Sequence, residues 1–66
     1  MNRANRIATL QSAIDIIDDA AVQLHATHTV RGKWQSDPRT LNIKSEWREY
    51  GRVIAALQKL IERENE

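Results

Sequence analysis

The chain has 66 residues, 41 % hydrophobic and 29 % charged, with a net charge of +1, two histidines and no cysteine. That size and balance describe one small helical unit over 1–66 and exclude a disordered polar tail, a disulfide scaffold and a thiolate metal site. No apolar run approaches the roughly 18 residues of a membrane span, and the first six residues lack the apolar centre of a signal peptide, so a cytoplasmic protein without a membrane partner is expected.

The first predicted element is a helix over about 5–27, with Asn2 or Asn5 as its N-cap. Its apolar residues Ile7, Leu10, Ile14, Ile17, Ala21 and Leu24, followed by His28, recur in alternating steps of three and four. That rhythm marks one stripe along a helix. A connecting loop over about 28–37 follows, because Thr29 to Ser36 breaks the rhythm. Gly32, between Arg31 and Lys33, predicts a turn with positive φ. The second helix is expected over about 38–63, with Asp37 as N-cap and Pro38 in the first helical position. Ile43, Trp47, Tyr50, Ile54, Leu57 and Ile61 repeat the three-and-four rhythm there.

Folded antiparallel, the two stripes fall into one register: Leu10 faces Ile61, Ile14 faces Leu57, Ile17 faces Ile54, Ala21 faces Tyr50, Leu24 faces Trp47 and His28 faces Ile43. The charges at the open end support this arrangement. Arg3 and Arg6 oppose the dipole of the first helix, Glu62, Glu64 and Glu66 oppose that of the second, and side by side they neutralise one another. The predicted fold is all-α, an antiparallel two-helix hairpin. One seam buries too little apolar surface to stabilise a lone hairpin of this length, so it is expected to oligomerise into a helical bundle, a dimeric four-helix bundle or a higher assembly.

Heptad positions divide the remaining surface into two flanks. Ala13, Ile16 and Ala20 from the first helix and Val53, Ala56 and Leu60 from the second share one flank, the expected oligomer interface. The opposite flank reads as polar: Gln11, Asp15, Asp18 and His25 face Lys44, Arg48, Gly51, Ala55 and Gln58. Gly51 is anomalous, since a mid-helix glycine costs about 1 kcal/mol against alanine. Either a ligand or partner rests over it between Arg48 and Arg52, or Tyr50 and Asp18 need the space.

Cations gather in the middle of the chain. Arg31, Lys33, Arg39, Lys44, Arg48 and Arg52, with Trp34 to stack a base and Trp47 to buttress it, form a candidate ligand-binding set together with Gly51. A compact anion such as a nucleotide suits so local a cluster better than long nucleic acid does, given the small net charge. The alternative is a solvated face in which Arg48 and Arg52 pair with Asp15, Asp18 or Asp19 across the hairpin. His25 and His28 lack a third ligand, so no metal or cofactor is expected, and His28 is read as a seam residue hydrogen-bonded to the loop. Ser12, Ser36 and Ser45 belong to no nucleophilic motif, so the chain is not expected to be an enzyme.

The run Asp-Pro-Arg-Thr-Leu-Asn-Ile over 37–43, followed by Gly51 and a stretch of small apolar residues ending near Leu57, resembles a phage protein family, the anti-CBASS and anti-Thoeris helical-hairpin proteins. The resemblance covers about a third of the chain. It implies an oligomer that sequesters cyclic nucleotide signals, and no binding residue is carried over from it. In length and two-helix architecture the chain also resembles small plasmid-encoded RNA-binding hairpin dimers. The reading from sequence is thus a non-enzymatic phage-type protein that homo-oligomerises and sequesters a small phosphorylated ligand. Its alternatives are a module that inhibits or adapts a host protein, and an RNA-binding hairpin dimer.

Overall fold

Both helices begin where a short polar side chain can accept a hydrogen bond from an otherwise orphaned backbone N–H. The computed structural model describes residues 2–66. Helix α1 spans Arg3–His28, strand β1 Thr29–Val30, strand β2 Lys33–Trp34 and helix α2 Pro38–Glu64. Asn2 caps α1, its Oδ1 accepting from the Asn5 amide at 2.8 Å. This starts the helix two residues before the expected boundary. Asp37 caps α2 by accepting from the Arg39 amide at 2.9 Å, with Pro38 in the first turn.

The helices pack side by side as an antiparallel hairpin, 46 Å in its longest dimension and 17 Å and 14 Å in the others. Contacts at the two ends set the register. At the open end Arg6 Nε donates to Glu64 Oε1 at 3.0 Å, and at the loop end the rings of His25 and Trp47 lie 5.4 Å apart. The two contacts fall one residue to either side of the predicted pairing line. Every predicted seam residue, from Ile7 to His28 and from Ile43 to Ile61, is buried or half-buried, and Ile14 and Ala21 are the buried hydrophobic residues. Thr40 is buried as well. It stands one step before Ile43 in the same rhythm, a seam position disguised by its hydroxyl. No helix among the described residues is long and apolar enough to cross a membrane.

The connection departs from the expected plain loop. Thr29 pairs with Trp34 and Val30 with Lys33 in a minimal antiparallel ribbon, and the Gln35 amide extends it by donating to the His28 carbonyl at 3.1 Å. Arg31 at φ 55° and Gly32 at φ 80° are both left-handed, as the tightest hairpin turns require. Only Gly32 was expected to have positive φ. Helix α1 therefore runs to His28, whose carbonyl accepts the loop's Gln35 amide, while its imidazole turns back on its own helix, Nδ1 lying 2.9 Å from the Leu24 carbonyl.

Candidate binding groove

The flank that reads as polar in sequence holds a concavity of the hairpin. An open groove of about 810 Å³ runs between α1 and α2 over their loop-proximal half. Ala21, Ile54 and Trp47 from the seam form its apolar floor, while Val22, Ala26, Gly51 and Ala55 widen it because their side chains are small. Asp18 and His25 stand on the α1 side, Arg48 and Arg52 on the α2 side. Heptad assignment places Gly51 and Ala55 on this flank but leaves out Val22 and Ala26, which line the groove with them. The repeated small residues at Ala21, Ala26, Gly51 and Ala55 were the legible signal.

Gly51 opens directly into this space. A Cβ built there would meet no atom of Asp18, or of any other residue beyond its chain neighbours and its own helix backbone, within 4 Å, so Asp18 does not require the glycine. Within the hairpin the residue weakens its helix and relieves no crowding against α1. Tyr50 is occupied elsewhere, its phenol donating to Glu46 Oε1 at 2.8 Å, and this bond holds the phenol pKa above its ordinary value.

Salt bridges from Arg48 and Arg52 to Asp15, Asp18 or Asp19 across the hairpin, the alternative to a ligand site, do not form. Arg52 pairs with Glu49, one turn back on its own helix. Asp15 accepts from Gln11 Nε2 at 3.2 Å. Asp18, Asp19, Lys44 and Arg48 have no hydrogen-bond or ion-pair partner among the described residues. Asp15 and Asp18 on α1 and Arg48 on α2 stand exposed on the same flank.

The candidate ligand-binding residues divide between two places. Trp47, Arg48, Gly51 and Arg52 line the groove. Arg31, Lys33 and Arg39 are exposed outside it, and Lys44 is half-buried. Trp34 closes the loop end of the seam: its ring lies 5.3 Å from His25 and 5.5 Å from Trp47, both edge-on. With Trp34 already packed against two rings, its place is between the ribbon and the hairpin. His25 belongs to that cluster, and no group of three metal-binding side chains occurs among the described residues.

The opposite flank keeps its apolar character. Ile16 is 69 % exposed, Val53 and Leu60 are exposed at 43 % and 42 %, Ala20 and Ala56 lie open beside them, and Ala13 is half-buried. Comparison of the chain with protein-family models, curated proteins and solved structures found no match.

Proposed function

We propose that this chain acts by association and not by catalysis, its working unit being an oligomer of helical hairpins. One observation carries the reading. The hairpin exposes 5215 Å², whereas a compact monomer of this mass exposes roughly 4,300 Å². The excess, on the order of 900 Å², matches the roughly 800 Å² that each partner contributes to an interface of standard size. Ile14 and Ala21 are a slight hydrophobic core for so long a hairpin, and apolar side chains stand open on both flanks. Association would bury what folding leaves exposed. Sedimentation equilibrium from low micromolar to near-millimolar concentration tests this: a concentration-dependent oligomer is expected, and a monomer throughout refutes it.

A second reading is uptake of a compact phosphorylated ligand, nucleotide-like, in the groove. Arg48 favours it, an unpartnered guanidinium beside Trp47 and the open backbone at Gly51. A sequestering, anti-defence role for such a ligand is what the resemblance at Asp37 to Ile43 implies. Calorimetry against mono-, di- and cyclic nucleotides should then show binding tighter than millimolar. Heats indistinguishable from dilution would remove this reading.

A further inference from the structure

We infer that the groove over Gly51 is filled by a second copy of this chain, with Val22 of each copy seated over Gly51 of the other. The inference rests on the reading that the chain works as an oligomer, and it names the face and the register. Val22 and Gly51 line the same groove, Val22 being 59 % exposed and Gly51 having nothing within 4 Å of its missing Cβ. In the hairpin register Gly51 is level with Ala20, about two residues or 3 Å along the axis from Val22. A two-fold axis parallel to the helices preserves these levels and lays α1 of one copy antiparallel against α2 of the other. Each exposed valine then meets the hole over the partner's glycine, and the small residues around it let the backbones approach.

Charge supports the same placement. The strip on α1 carries Asp15 and Asp18, and the strip on α2 carries Lys44 and Arg48, with Arg52 beside them. In the hairpin register Asp18 is level with Val53, next to Arg52. Under the parallel two-fold Asp18 comes beside the partner's Arg52, and the partner's Arg48, about five residues or 7 Å further along the axis, lies within reach of the same carboxylate, so Asp18 and Arg48, which have no partners within the chain, gain opposite charges across the interface. The other two-fold, perpendicular to the helices, would set acidic strip against acidic strip. The excess surface of the hairpin is of the size that such an interface needs.

Gly51→Ala separates this arrangement from a ligand site or a bare surface. Within one hairpin the new methyl group enters open space and should raise helicity and the thermal midpoint at low concentration. Between two copies it fills the hole that receives Val22, so the dimer dissociation constant should rise at least tenfold. Val22→Lys should weaken the dimer by a similar factor while the far-ultraviolet circular dichroism stays unchanged. Asp18→Arg and Arg52→Asp should each weaken it, and the double reversal should restore it. A dimer unaffected by Gly51→Ala and Val22→Lys but dissociated by Ile16→Asp would place the interface on the other flank; that overturns this inference and leaves the oligomeric reading standing. A monomer at every concentration overturns both. If adenosine diphosphate then shifts the Arg48 and Gly51 resonances, the groove belongs to a phosphorylated ligand.

Discussion

Arg31 occupies a backbone conformation that its side chain does not favour. At φ 55° it holds the first central position of the ribbon turn, where asparagine, aspartate or glycine fits with less strain. Arg31→Asn should therefore stabilise the protein by about 1 kcal/mol, seen as a higher denaturation midpoint with an unchanged fold. No change would mean that the turn relaxes around the arginine at little cost. At the open end, the hydrogen bond from Arg6 holds the Glu64 carboxyl below the ordinary carboxylate range, while partial desolvation opposes the shift. A carboxylate with a lowered folded-state pKa contributes its full stability above the ordinary glutamate range and loses it as pH falls through the lower folded value. The tie between the helix ends should accordingly persist to mildly acidic pH and release below it. In a titration followed by nuclear magnetic resonance, the Glu64 side chain should titrate below the ordinary glutamate range. Titration within that range would contradict the observed pair.

At the scale of elements, the ribbon and the helices depend on different things. Two strands of two residues each have no stability of their own. What holds them is Trp34, edge-on to His25 and Trp47 at the end of the seam. Trp34→Ala should free the ribbon while leaving both helices in place. Amide exchange at Val30 and Gln35 should then accelerate by at least tenfold, with exchange in the middle of α1 little altered. Equal acceleration in both places would show that the cluster supports the whole hairpin. The ribbon was illegible in sequence because alternation over two residues is too short to register, and Arg-Gly is a weaker turn signal than Asn-Gly. The helices were legible because their three-and-four rhythm runs through about five to six turns, and their caps, Asn2 and Asp37, are residues of the preferred type.

For the whole molecule, stability resides in one seam. Ile17 and Ile54 face each other near its middle, both half-buried. Glutamate at either position would place an unpaired charge among apolar side chains and should unfold the chain, as circular dichroism would show. A folded variant would mean that the register slides. That register was legible in sequence because only one alignment covers both stripes along their full length, a slip of one heptad leaving an end of each uncovered, and opposite charges at Arg6 and Glu64 agree with it. What no periodicity could decide was the use of the remaining surface. Whether Arg48 reaches Asp18 across the hairpin, and whether Gly51 makes room for Asp18, are questions of distance between helices. The tertiary structure answers no to both: Arg48 and Asp18 have no ion-pair partner, and a Cβ at Gly51 would meet no atom of α1 within 4 Å. Sequence determined which residues the helices bury against each other; only their spacing in three dimensions revealed what the hairpin leaves unfilled.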